Sequence, residues 1–144
     1  MSAEQLAEIQ EKFVGSWKVD RSECFEDFLR EVGANFVVRK MASLAKPSSE
    51  IKVDGEQITI SLNAGFMVKQ DIFKLGEEIP TEFMGSKSKT TFTFEDGKIV
   101  SNAVPLDDKI KHTRATREII GEEMLLTMYI GDVVCKRYFK RVPQ

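Results

Sequence analysis

Beyond Pro47 a turn mark interrupts the chain about every ten residues, the spacing of short, even strands. No other feature constrains the fold as strongly. The marks are Asp54-Gly55, Gly65, Gly76, Gly85, Asp96-Gly97, Asp107-Asp108, Gly121 and Gly131-Asp132. Asp-Gly is a strong hairpin signal, because both residues tolerate the positive φ of a tight two-residue turn. Between the marks polarity alternates, as in Gln57-Ile58-Thr59-Ile60-Ser61-Leu62. This pattern predicts an up-and-down antiparallel sheet. With one more strand before the helices the count comes to about ten, enough for a sheet to close and lose its exposed edges. A barrel of that size encloses volume that side chains alone do not fill.

The first third of the chain is different. Residues 2–12 read as a short helix, with Leu6, Ile9 and Phe13 at helical spacing. Phe13 to Arg21 reads as a strand with Phe13, Gly15, Trp17 and Val19 on one face. A helix–turn–helix follows over residues 23–46. Ser22 is placed to cap its first helix, and Phe25, Phe28, Leu29 and Val32 give an i, i+3, i+4, i+7 stripe that stops at Gly33. Asn35 is placed to cap the second, which carries Phe36, Val37, Met41 and Leu44 and ends at Pro47.

The last strand, Val133 to Arg141, sets the chemistry. Successive strand residues point to opposite faces, so Val133, Cys135, Arg137 and Phe139 share one face. That face is apolar apart from the arginine, which predicts that Arg137 points inward. A guanidinium does not give up its proton there, and burying it alone costs several kcal/mol. No Asp or Glu shares its phase on this strand. A strand from Ile110 to Ile119 places Thr113, Ala115, Arg117 and Ile119 on its less polar face, and His112, Arg114, Thr116 and Glu118 on its wetter one. Two inward arginines repel unless an anion, a carboxylate or water lies between them. Two readings follow: an apolar cavity with a cationic floor suited to a long-chain acid, or arginines that are exposed or paired with internal carboxylates. Met124, Leu126 and Met128 share one face, and Phe92 and Phe94 are separated by parity from Thr91 and Thr93.

Length and charge narrow the function. The 144 residues suit one domain. Residues 1–12 form an extension and residues 13–144 a single barrel domain, with no linker or low-complexity tract. A net charge of −2 argues against nucleic-acid binding driven by bulk charge. No apolar run approaches the roughly 20 residues that cross a bilayer as a helix. The first residues lack a secretion-signal pattern, and two cysteines fit a reduced compartment. A cytoplasmic monomer is expected.

Phe13-Val14-Gly15-Ser16-Trp17-Lys18, Phe25-Glu26-Asp27-Phe28-Leu29-Arg30-Glu31-Val32-Gly33, Arg39-Lys40, Ala45-Lys46-Pro47, Asp54-Gly55, Phe73-Lys74-Leu75-Gly76-Glu77-Glu78 and Cys135-Lys136-Arg137 together resemble the intracellular lipid-binding proteins. These comprise the fatty-acid-binding and cellular retinoid-binding proteins, and the resemblance covers about residues 13–142. It implies a mainly β fold: a ten-stranded antiparallel clam of a barrel capped by a helix–turn–helix lid, here with a short N-terminal helical extension. It implies a carrier that holds a long-chain fatty acid or similar hydrophobic carboxylate inside the barrel, with a retinoid carrier as the alternative. By resemblance Arg117 and Arg137 meet the carboxylate. Phe139 stands where many members have a tyrosine of the Arg-x-Tyr clamp, so the hydroxyl donor is absent, and Tyr138 is one residue off. Phe25, Phe28, Leu29, Ala34, Ala45 and Phe66 match lid and portal positions. Leu62, Ala64, Met84, Leu126 and Met128 match cavity positions. Arg30, Arg39 and Lys40 match a basic cluster that in some members forms a nuclear-import signal, which makes a lipid-signalling chaperone delivering its ligand to the nucleus a further alternative. The same charges suit transient contact with an anionic membrane. Cys24 replaces the usual Asn, and about two extra residues fall between Asp107 and Thr113.

An enzyme is not expected. The chain has no Gly-x-Ser-x-Gly elbow and no His/Cys cluster with metal-ligand spacing, its one histidine is His112 on the wetter face, and no cofactor is implied.

Overall fold

The computed structural model describes residues 3–143. Met1, Ser2 and Gln144 lie outside the described residues, so the expected start of the first helix at Ser2 does too. The elements are α1 (Ala3–Lys12), β1 (Gly15–Glu23), α2 (Phe25–Glu31), α3 (Phe36–Leu44), β2 (Ser48–Asp54), β3 (Gln57–Asn63), β4 (Val68–Phe73), β5 (Glu78–Phe83), β6 (Ser86–Glu95), β7 (Lys98–Pro105), β8 (Thr113–Ile120), β9 (Glu123–Ile130) and β10 (Val133–Arg141). The ten antiparallel strands form one sheet, ordered β4-β3-β2-β1-β10-β9-β8-β7-β6-β5. β1 pairs with both β2 and β10, which brings the two ends of the barrel sequence together.

Closure is incomplete, unlike the fully closed sheet expected from strand number. β4 and β5 are consecutive in the chain but form the two edges of the sheet, with no ladder between them. Side chains bridge part of this seam. Phe73 of β4 stacks on Phe92 of β6 at 3.8 Å and 8°, and the Gly76 amide donates to the Phe92 carbonyl at 2.8 Å.

Local chemistry explains several boundaries. In the two-residue turns after β5 and β6, Met84 (φ 54°) with Gly85 (φ 85°) and Asp96 (φ 53°) with Gly97 (φ 76°) are all left-handed. That geometry matches the twist of the flanking strands. β8 begins at Thr113 rather than Ile110. Asp107 instead turns the loop after β7, its carboxylate accepting from the Lys109 amide and its carbonyl from the Ile110 amide, both at 3.0 Å.

The expected cap at Ser22 is corrected. β1 runs on to Glu23, and Cys24, at φ 59°, turns the chain into α2 with no side-chain cap. Ser22 serves the site described below. Asn35 does cap α3, accepting from the Val38 amide at 2.9 Å. α2 buries Phe28 and Leu29. α3 buries only Ala42 and leaves Phe36, Val37, Met41 and Leu44 exposed.

The lid and α1 lie at opposite ends of β6. Phe28 of the lid meets Phe83, just before β6 begins, with ring centroids 6.3 Å apart. At the far end Phe94 meets Phe13 edge-on at 6.2 Å and its carbonyl accepts from the Gln5 amide at 3.1 Å. Ile9 and Phe13 are fully buried there, so α1 helps to floor the barrel. Trp17 sits beside them and donates to the Phe13 carbonyl at 2.9 Å. Arg141 stacks 4.1 Å over the Trp17 ring and donates to the carbonyls of Val14 and Lys12 at 2.8 and 2.9 Å. Gly15 (φ 139°) makes this possible, because a Cβ there would come within 2.6 Å of the Arg141 guanidinium.

Candidate ligand-binding site

The inward face of nearly every strand borders an internal cavity of about 160 Å³. A single water needs roughly 10–15 Å³ on the same measure, so the space is well beyond what one water fills. Its apolar wall includes Phe25 and Phe28 of the lid and Ile60, Leu62, Phe83, Phe92, Met124, Leu126, Met128 and Phe139 of the barrel. A second set of lining residues carries hydroxyls: Ser49, Ser61, Thr81, Ser86, Ser88, Thr90, Ser101 and Thr113. Ser49 donates to the Ser61 carbonyl at 2.7 Å, and the Thr81 and Thr90 hydroxyls meet at 2.7 Å. Ile110, expected at the start of a strand, lines the cavity from the loop before β8.

Both arginines reach this space. Arg137 is only 5% exposed. Its Nε donates to the Ser22 hydroxyl at 2.9 Å, and its guanidinium lies 3.8 Å over the Phe25 ring. Burial lowers its pKa to about 10, opposed by nearby Cys135, so it stays a cation at neutral pH. Arg117 is enclosed by protein on all sides yet keeps some accessible surface, because that surface faces the cavity. Burial pulls its pKa down and the charge of Asp71 pushes it back up. Among the described residues neither arginine has a carboxylate within salt-bridge distance: the ion pairs are made by other cations.

One of those pairs sits in the same cavity. Lys69 and Asp71, two residues apart on β4, pair at 2.5 Å, with side chains 22% and 13% exposed. Both line the cavity and also the groove that opens outward along the β4–β5 seam. Sequence reading missed them. The signal is the parity of β4: Phe73 is buried, so Lys69 and Asp71 share its inward face, while Val68 and Ile72 point out and are exposed.

The other residues singled out in the sequence divide clearly. Phe25, Phe28, Leu62, Leu126, Met128 and Phe139 border the cavity. Leu29 and Ala34 are buried in the core beneath the lid and do not. Ala45 lines a separate groove under the lid, beside Ser22, Cys24, Phe25 and the other side of Arg137. Met84 sits in the β5–β6 turn and faces the seam groove. Ala64 and Phe66 belong to the β3–β4 turn, outside the cavity lining, and Phe66 is 39% exposed. Tyr138 points outward, its hydroxyl donating to Glu23 at 3.2 Å. In the basic cluster, Arg30 engages Asp27 at 3.3 Å, Arg39 donates to the Ala34 carbonyl at 2.7 Å, and Lys40 is exposed.

No helix among the described residues is long and apolar enough to cross a membrane. Residues 11–143 match the model of the lipocalin / cytosolic fatty-acid binding protein family. Human fatty acid-binding protein 9 is 38% identical over 133 residues, 92% of this chain and 98% of its own length. Fatty acid-binding protein homolog 5 of Caenorhabditis elegans is 39% identical over 132 residues, 91% and 97% respectively. The crystal structure of apo lipid binding protein 8 from the same nematode superposes with a TM-score of 0.88 at 29% identity, covering 99% of both chains. A ten-stranded barrel under a two-helix lid, with matches to model, sequence and structure over nearly its whole length, places this chain in the lipocalin / cytosolic fatty-acid binding protein family, whose members bind and carry lipids.

Proposed function

We infer that this protein binds long-chain fatty acids in its barrel and carries them through the cytoplasm, with Arg117 and Arg137 meeting the carboxylate. The observation that carries the reading is a largely apolar cavity bordered by two guanidinium groups that, among the described residues, have no carboxylate in contact. An arginine fork matches a carboxylate in bidentate fashion. The acyl chain contributes roughly 25 cal/mol for each Å² of apolar surface it removes from water. Acid and neutral forms of one lipid share the second contribution and differ in the first. During transfer the exposed Phe36, Val37, Met41 and Leu44 of α3, next to Lys40, suit contact with an anionic membrane.

Titration with oleate and with methyl oleate tests this. The acid is expected to bind at least about tenfold more tightly, a difference of 1.4 kcal/mol. Equal affinity for the two would reject the headgroup role. Retinoic acid in the same assay separates the runner-up ligand, since it also presents a carboxylate on an apolar body.

A further inference from the structure

We propose that Lys69 is a positioning residue that keeps Arg117 open to an anionic ligand by holding Asp71 away from it. The inference rests on the carrier reading above and adds to it a residue that sets selectivity for the headgroup.

Three charged side chains share one side of the problem. Arg117 on β8 and Asp71 on β4 line the same cavity, and Asp71 is the acidic group whose charge reaches Arg117. A carboxylate and a guanidinium that line one largely buried cavity attract each other and pair by preference in a bidentate fork. Yet among the described residues Arg117 makes no ion pair or side-chain hydrogen bond, while the Asp71 carboxylate is engaged by Lys69 at 2.5 Å. The lysine shares strand and face with Asp71, at the residue two positions earlier, so it can hold the carboxylate against β4 without any change in the backbone. The guanidinium donors are thereby left facing the cavity. An incoming carboxylate takes the place that Asp71 would otherwise occupy.

The Lys69–Asp71 pair also fixes the charge balance. With Arg117 and Arg137 these residues make three cations and one anion around the cavity. The surplus of two positive charges favours an anionic guest over a neutral one of the same shape. Without the ammonium, Asp71 becomes an internal competitor for Arg117, and the protein itself supplies the anion that the ligand should bring. Lys69 is partly exposed through the seam groove, so its replacement leaves the packed core untouched.

The test is a set of three variants, Lys69→Gln, Asp71→Asn and the double variant, each titrated with oleate and methyl oleate. K69Q is expected to weaken oleate binding by about tenfold while methyl oleate changes by less than about twofold, the pattern of a lost charge interaction rather than lost packing. Adding D71N to K69Q is expected to restore oleate binding to near the wild-type value. A ligand-free crystal structure of K69Q should show the Asp71 carboxylate in hydrogen-bond contact with the Arg117 guanidinium. Unchanged oleate affinity in K69Q, or a double variant as weak as K69Q, overturns the proposal, as does a K69Q structure with Asp71 still clear of Arg117. The wild-type preference for oleate over its ester reads the carrier proposal on its own. The crystal structure reads the Lys69 role whether or not that preference is found.

Discussion

Replacing Arg117 and Arg137 together by leucine is expected to weaken oleate binding by at least about thirtyfold and to leave methyl oleate within about threefold of its wild-type affinity. Truncating one partner of a buried, hydrogen-bonded charge pair costs about 2–5 kcal/mol, and 2 kcal/mol corresponds to roughly thirtyfold. Leucine keeps the cavity apolar and removes two charges whose burial is unfavourable in the free protein, with Arg117 enclosed and Arg137 only 5% exposed. The ligand-free variant should therefore be at least as stable to denaturant as the wild type, because apolar replacement of a buried ion is often neutral or stabilising. That combination, weaker acid binding without lost stability, separates a headgroup role from a structural one. Equal losses for acid and ester would show that the arginines shape the cavity rather than read the headgroup. Fluorescent-probe displacement gives the affinities, and urea unfolding gives the stabilities.

The second large effect lies at the other end of the molecule. Trp17→Ala is expected to destabilise the fold by about 3–5 kcal/mol, the usual cost of truncating a large buried aromatic side chain. Trp17 is 1% exposed, donates to the Phe13 carbonyl and carries Arg141 on its ring face. Removing it opens a cavity beside Ile9 and Phe13 and takes away the surface on which Arg141 stacks. Arg141 also ties β10 to the segment that joins α1 to β1, so the loss spreads to the N-terminal helix. With a urea m-value of about 2 kcal/mol per M, the midpoint falls by about 2 M. A shift below about 0.5 M would mean that the barrel floor is held by something other than this cluster.

How far the sequence disclosed the molecule depended on whether the deciding signal was local. The turn signals act through local backbone preference, so Asp96-Gly97 was legible as a two-residue turn, whereas at the β2–β3 hairpin Asp54 ends the strand paired with Gln57 and Gly55-Glu56 make the turn. The parity of β10 was legible because its apolar residues agree on one face, which places Arg137 beside Cys135 and Phe139. Asn35 was readable as a cap because its partner lies three residues on. Ser22 was not, since its partner is Arg137, 115 residues away. The open seam between β4 and β5 was hidden for the same reason: nothing within either strand says whether its neighbour will pair.

The phase of β4 went unread in the sequence. Its apolar residues Val68 and Ile72 point outward and its ions inward, so hydrophobicity alone assigns the strand the wrong way round. Only the buried Phe73 at its end discloses the true phase. The lid shows a milder version. The stripe of α2 faces the core through Phe28 and Leu29, whereas Phe36, Val37, Met41 and Leu44 of α3 remain uncovered.

The most direct test of the account is a crystal structure of the protein with oleate bound. The expected result is an acyl chain curled within the barrel, along Phe28, Leu62 and Met128, with its carboxylate at hydrogen-bond distance from Arg117, Arg137 or both. A carboxylate left in bulk solvent at the lid, with both guanidinium groups untouched by the ligand, would contradict it.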